Sequence, residues 1–303
     1  MLFLLLCIVI HAAVFHADIP NAYDALHQDS RFTLFLAEIN KYEELVSILK
    51  SETGYRTVLA PTNDAMKGLQ VSLETLLYHI SALAIPELTP MIIPSMLQLS
   101  SLNYHYQMIK VISFENFIYV GSDSSKSKVL EHRVSFHSGF VYPIDRLLKL
   151  PTDIKTELIF ISGTSSVSTF LAALEYTNLT KIIRNMSAIT VLAPNNKAFE
   201  ELGPRMLRFL FSPVGKLILR TILKYHIAIG EQSPLYSNQI ANDDIIYLKT
   251  ILKGRNVSFQ KKMTDSGDVL VINRSSIATK RNILSRDGVA HVIDKVLLPF
   301  FRI

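Results

Sequence analysis

Nine histidines, one cysteine and a scatter of serines and carboxylates are the side chains on which this chain could build chemistry. Nucleophilic catalysis needs a hydroxyl or thiol held beside a base on a defined turn. No Gly-x-Ser-x-Gly elbow, phosphate-cradling glycine loop or His-Glu-x-x-His helix occurs, and the spacing of Ser, His and Asp nominates no triad. The paired carboxylates Glu200-Glu201 and Asp243-Asp244 read as solvated surface rather than acid/base machinery. For metals, His132 and His137 would point to opposite faces of a single strand. Asn242-Asp243-Asp244 resembles the start of a calcium loop, without its glycine and closing glutamate. Cys7 is the single thiol, and it lies in a leader expected to be removed. That excludes disulfides, thiolate metal sites and cysteine catalysis in the mature chain. No catalytic residue, metal or cofactor is therefore expected, and the chain reads as a non-enzyme.

Two short constellations stand out instead. Tyr78-His79 and Tyr225-His226 each end an apolar helical stripe and each precede an isoleucine. Such a pair can be a core element, the ring packed and the imidazole satisfying buried backbone groups, or a patch that touches a partner. His291 and Asp294 in the last strand raise the same choice. Four Asn-x-Ser/Thr sequons, at Asn178, Asn185, Asn256 and Asn273, are candidate glycosylation sites, all in the second half.

The elements that must position these residues are legible as a duplication. Thr57-Val-Leu-Ala-Pro-Thr-Asn-Asp-Ala-Met66 and Thr190-Val-Leu-Ala-Pro-Asn-Asn-Lys-Ala-Phe199 are identical at seven of ten positions. Each spells a buried strand, a proline stop, an Asx cap and the start of a helix. The Tyr-His pairs follow in order, and then Ile144-Asp145 and Ile293-Asp294. An insertion of about fourteen residues near Gly203 to Pro213 accounts for most of the drift in spacing. Between the landmarks, strands are expected at Met108–Ser113, Asn116–Val120, Lys128–Val134, Ile245–Leu248, Asn256–Gln260 and Val269–Asn273. Asp18–Asp29 reads as a polar lead-in. Ser81–Leu102, broken by Pro86, Pro90 and Pro94, reads as apolar turns that pack somewhere.

The bulk composition agrees with two buried cores: 49% hydrophobic and 19% charged over 303 residues. A net charge of +5 is spread thinly, with no run dense enough for nucleic acid. It suits at most weak attraction to anionic glycans or lipid headgroups. The apolar stretch Leu2 to Ile10 has the length of a signal-peptide core and is too short to span a bilayer.

Taken together, these landmarks resemble the fasciclin-like domain family. Thr-Val-Leu-Ala-Pro-x-Asn-x-Ala-Phe is similar to its first signature, Gly288-Val-Ala-His-Val-Ile-Asp-Lys-Val-Leu-Leu-Pro299 to its second, and Tyr-His to its central dipeptide. The first copy departs from the pattern at Tyr142 and Met66. The resemblance implies an α+β fold of two tandem domains, each a β-sheet wedge with covering helices. The resulting organisation is a signal peptide at 1–17, a divergent domain at 18–151, a linker at 152–165 and a second domain at 166–303. It also implies adhesion or extracellular or lumenal scaffolding through protein or glycan contacts, with Tyr78, His79, Tyr225 and His226 as partner-contacting residues. The expected location is secreted or cell-surface, with the vacuole or endoplasmic reticulum lumen as the alternative. No nucleic acid and at most weak membrane association are expected. The rival reading is a small-ligand or lipid carrier, with a pocket between the sheet and Ile85–Leu102.

Overall fold

The computed structural model describes residues 20–161, 163–230, 233–265 and 267–299. The leader, with Cys7, lies outside the described residues. The first half contributes strands β1 (Arg56–Pro61), β2 (Ile80–Ser81), β3 (Met91–Leu99), β4 (His105–Phe114), β5 (Phe117–Gly121), β6 (Lys126–Lys128), β7 (Val134–Phe136) and β8 (Gly139–Ile144). The second contributes β9 (Ile189–Pro194), β10 (Ile227–Ile229), β11 (Ile245–Thr250), β12 (Asn256–Thr264), β13 (Gly267–Ile272), β14 (Ser276–Leu284) and β15 (Gly288–Ile293).

The duplicated Thr-Val-Leu-Ala-Pro runs are β1 and β9, the central strands of their halves. Each lies parallel to the closing strand of its half and antiparallel to the short strand that follows Tyr-His. A strand buried on both faces feeds two cores, because alternate side chains point opposite ways. Ile189, Val191 and Ala193 join the helical core with Phe170, Phe199 and Leu223. Leu192 joins the core inside the sheet with Tyr225 and Phe259. In the first half, Val58 and Ala60 pack with Phe32 and Phe35 on the helical side. Leu59 packs with Tyr78 and Ile109 on the other.

The paired strands approach so closely that the second signature must open on glycine. A Cβ on Gly288 would sit 2.1 Å from the Ile189 carbonyl oxygen, and one on Gly139 would sit 1.7 Å from that of Arg56.

The wedge takes two forms. In the second half β10-β11-β12-β13-β14-β15-β9 close into a barrel. The first half separates into two four-stranded sheets, β2-β1-β8-β7 and β3-β4-β5-β6. Chain order matches the long β14, which survives two register shifts, to the separate β6 and β7 of the first half. The break falls at Glu131–Arg133, where His132 is left-handed at φ 65°, and a single bridge from Val129 to Ile144 spans it. The strand expected over Lys128–Val134 is thus interrupted: at His132 the left-handed backbone takes the chain out of the ladder.

Two other expectations change. Ser81–Leu102 contains β3, where Pro94 is tolerated because β3 is an edge strand with β4 on one side only. The lead-in Asp18–Asp29 holds a helix, Ala22–Gln28, capped by Asn21 and burying Ala22, Ala25 and Leu26. The linker, apolar from Leu158 to Ile161, holds its counterpart, the helix Ile154–Ile159, whose Ile154 and Leu158 enter the second helical core.

The halves are fastened to each other. Tyr236, Leu284 and Val289 of the second meet Ile92 and Met108 of the first. Asp123, 4% exposed, bridges Lys110 of its own half and Lys280 of the other, each at 2.9 Å. Glu157, fully buried, accepts the Ser124 N–H and hydroxyl and the Thr152 N–H and hydroxyl.

Candidate functional site

The Tyr-His pairs close the helices Leu73–Tyr78 and Lys216–Tyr225. A helix end leaves carbonyls without partners, and each histidine occupies the position where one must be satisfied. His79 Nδ1 lies 2.7 Å from the Thr75 carbonyl oxygen, and His226 Nδ1 lies 2.8 Å from that of Ile222. The other ring nitrogen accepts a backbone N–H from beyond the closing strand: Leu148 to His79 Nε2 at 2.9 Å, and Leu297 to His226 Nε2 at 3.0 Å. An Nε2 that accepts carries no proton, so Nδ1 bears it and donates. Both rings are fully buried and neutral, and burial lowers each to about 4.

His291 repeats the device, its Nε2 3.0 Å from the Leu235 carbonyl oxygen while Nδ1 accepts from Asn282 N–H. Burial lowers it to about 4 as well. In the first half Tyr142 stands in its place, and its hydroxyl donates to the matching carbonyl, that of Ile85, at 2.8 Å. Ile85 and Leu235 are matched by a further bond, each N–H donating to the threonine hydroxyl of its half, Thr57 or Thr190. The departure at Tyr142 therefore preserves the donor. Asp294 holds β14 by accepting from Ile277 N–H at 2.7 Å and the Ser276 hydroxyl at 2.9 Å. Asp145 accepts from Lys128 N–H at 2.7 Å.

Burial decides what the four predicted contact residues can reach. Tyr78, His79 and His226 expose nothing, and Tyr78 donates its hydroxyl to the Met108 carbonyl. A partner touches none of these three side chains in this conformation, because core and backbone already occupy every face. Their geometry is that of core elements. Tyr225 differs. Its hydroxyl donates to the Asn256 carbonyl at 3.1 Å and accepts from Asn273 Nδ2 at 3.0 Å. It also lines an open cavity of about 630 Å³, shared with Tyr247, Ser258, Arg274, Ser275 and Lys295. Arg274 and Lys295 are exposed, and neither makes an ion pair among the described residues. Two cations and several hydroxyls on one concave wall can take an anionic or polyhydroxylated group.

Of the sequons, Asn178, Asn185 and Asn256 are exposed. Asn273 is half-buried: its amide oxygen accepts from Ser258 N–H while its nitrogen serves Tyr225. Sequence reasoning missed the cavity, since Arg274 and Lys295 are distant in the chain. It also missed the work of Asn63 and Asn196. Each was expected to cap the helix that follows it. Asn196 instead accepts from Thr169 N–H at 3.0 Å, and Asn63 accepts from Leu34 N–H at 2.9 Å, fixing the start of an earlier helix. Asn195 does cap its own helix, through Ala198 N–H.

Glu200, Glu201, Asp243 and Asp244 are exposed. Among the described residues no group of three or more His, Cys, Asp or Glu is placed to hold a metal. Also among them, no helix is long and apolar enough to cross a membrane.

The fasciclin domain model matches the chain twice, at residues 30–151 and 165–299. The aurofusarin biosynthesis cluster protein S of Gibberella zeae is 25% identical over 325 residues, covering 94% of this chain and 78% of that protein. The transforming growth factor-beta-induced protein ig-h3 of Sus scrofa is 28% identical over 263 residues, covering 81% of this chain and 35% of its own length. This chain thus spans about a third of that relative. A solved FAS1 domain pair from the insect cell adhesion molecule fasciclin I covers 92% of this chain and 96% of that one, at 17% identity and a TM-score of 0.47. With one family match on each half and each signature seated in a matching strand, the chain belongs to the fasciclin-domain family.

Proposed function

We propose that this protein is a non-enzymatic adhesion or scaffolding protein of the secretory pathway, secreted or held at a cell surface, that contacts protein or glycan partners. The observation that carries the reading is the cavity at Tyr225, where Arg274 and Lys295 are exposed and make no ion pair among the described residues. Such a wall suits a carboxylated or sulfated glycan, or an acidic protein loop. The Tyr-His pairs support it from behind by fixing the helix end and the segment after β15. The second half is the contacting one, because Tyr225 borders the cavity while Tyr78 is sealed in the core. The carrier reading would need a large apolar cavity beside Ile85–Leu102, whereas the cavity at Pro90, Met91 and Ile92, about 330 Å³, is open and shared with Lys110, Lys261, Asp268 and Arg281. Ile85, Leu88, Ile93, Leu97, Leu99 and Leu102 instead pack with Leu59, Ile109 and Val111.

The test is binding of the purified chain to immobilised heparin and to neutral dextran, beside the double variant Arg274→Ala with Lys295→Ala. Retention on heparin alone, weakened about tenfold in the variant, is expected. Equal retention of both proteins would remove the cavity from the reading. A tagged copy found in the cytosol, with no mass change on glycosidase treatment, would remove the secretory part. Glycans are expected on Asn178, Asn185 and Asn256, and not on Asn273.

A further inference from the structure

The second half carries a helical hairpin that the first half lacks. Helix Gly203–Leu210 turns through residues 211–215 into helix Lys216–Tyr225. In the first half the chain runs from Met66 through residues 67–72 directly into Leu73–Tyr78. The first half thus keeps its fold without the hairpin.

Its turn is a built feature. The Ser212 N–H and hydroxyl both donate to the Phe209 carbonyl, at 3.0 and 2.6 Å, and Gly215 N–H donates to the Ser212 hydroxyl. A Cβ on Gly215 would meet the Phe209 carbonyl oxygen at 1.9 Å, so the two ends of the turn touch.

The hairpin has two apolar faces, and folding uses one. Leu210, Leu219, Ile222 and Leu223 point inward and are buried in the helical core. Val214 and Leu217 point outward at the tip, 79% and 75% exposed. Met206, Phe209 and Ile218 are exposed around them. One apolar stripe anchors an amphipathic helix; a second on the outer side marks a contact.

The charge on the hairpin itself has one sign. From Leu202 to Gly230 the sequence has no Asp or Glu and has five basic residues. Lys216 lies over the Tyr176 ring, and Arg220 donates to the Thr177 carbonyl. Arg205 and Arg208 are exposed and make no ion pair among the described residues. A protruding apolar tip with cations beside it fits a soft, negatively charged surface. A folded partner would have to offer a matching hollow, whereas a bilayer interface yields to any shape.

We infer that this hairpin docks the protein on anionic lipid bilayers. Val214 and Leu217 enter the boundary between headgroups and acyl chains, while Arg205 and Arg208 pair with headgroup anions. The inference stands apart from the cavity at Tyr225 and goes beyond it.

The experiment is flotation of the full chain with phosphatidylcholine vesicles, with and without phosphatidylserine. The wild type floats with the serine-containing vesicles and is released by high salt. Val214→Asp with Leu217→Asp lowers the bound fraction about tenfold, and Arg205→Glu with Arg208→Glu abolishes the preference for phosphatidylserine. The four side chains are exposed, so circular dichroism of both variants should match the wild type, and Leu83→Asp on the first half should leave flotation unchanged. Wild type absent from both vesicle types, or binding indifferent to the substitutions, would overturn the inference. So would a concentration-dependent dimer dispersed by the same aspartates in the absence of lipid, which would assign the tip to a second copy of the chain.

Discussion

His79, His226 and His291 are proton-sensitive parts of a fold that otherwise seals its core. Each imidazole is held neutral by a donor and an acceptor of the backbone, and burial lowers it from 6.5 to about 4. The unfolded chain takes up these protons as pH falls through 6.5, while the folded chain resists until about 4. Their contribution is therefore complete above pH 6.5 and is lost progressively between 6.5 and 4. Linkage sets the slope at up to about 1.4 kcal/mol per pH unit for each histidine. Thermal denaturation across that window should show a falling Tm, with a shallower fall in His79→Gln, which retains an acceptor for Leu148 N–H. A slope identical in the variant would mean that His79 titrates normally. This role was only half legible in the sequence. The pairs were visible as a repeated dipeptide after an apolar helix. Whether they faced inward was not, because the groups that reach Nε2 come from 69 and 71 residues downstream. Asn63 and Asn196 hid their roles for the same reason, capping helices that begin 30 and 28 residues earlier.

At the scale of elements, legibility follows side-chain pattern. β1 and β9 were readable because an uninterrupted β-branched and apolar run has few other ways to be buried. β14 was not, since Lys280-Arg281-Asn282 interrupts it with charge and Asn282 has φ 56°. The strand survives there on its partners: Asn282 N–H donates to His291, and Arg281 reaches Asp268 at 2.8 Å. β3 was masked by Pro94 and by Pro86 and Pro90 before it, which signal turns locally; Pro94 is excused only by an edge position that topology supplies. A tight constraint between elements is the parallel pair β9–β15. Gly288→Ala would place a methyl group 2.1 Å from the Ile189 carbonyl oxygen, which is backbone and cannot swing aside. The strands must separate, at a cost of about 3 kcal/mol. Denaturant titration should show this as a lower midpoint at unchanged m-value. Gly254→Ala is the control for position: it meets nothing within 4 Å, and its loss comes from its φ of +73° alone. Equal losses in the two variants would mean that the contact at Gly288 relaxes freely.

For the whole molecule, the question is whether two duplicated domains behave as two units or one. The sequence reads as two domains joined by a linker with an apolar run, Leu158 to Ile161. The structure makes that linker a helix with its apolar side in the second core and its Glu157 carboxylate holding the first half's Ser124. Asp123 adds a charged clasp. Burial alone would raise its carboxyl, but Lys110 and Lys280 bring it below its ordinary value. Burial in turn lowers the Lys110 ammonium, against the pull of Asp123. Removing the shared anion leaves two cations facing each other at a poorly solvated boundary, so Asp123→Ala should cost about 3 kcal/mol. Because the loss falls on the contact rather than on either core, its signature is a change in cooperativity. Calorimetry should give one transition for the wild type and two, or one markedly broadened, for Asp123→Ala. Asp64→Ala, which removes an ion pair with Lys67 exposed on both sides, should leave the single transition in place. Two transitions already present in the wild type would show that the clasp does not couple the halves. A shared transition would instead mean that the cavity at Tyr225 and the hairpin tip are carried on one rigid frame. Partner and bilayer contacts made by the second half would then fix the orientation of the first.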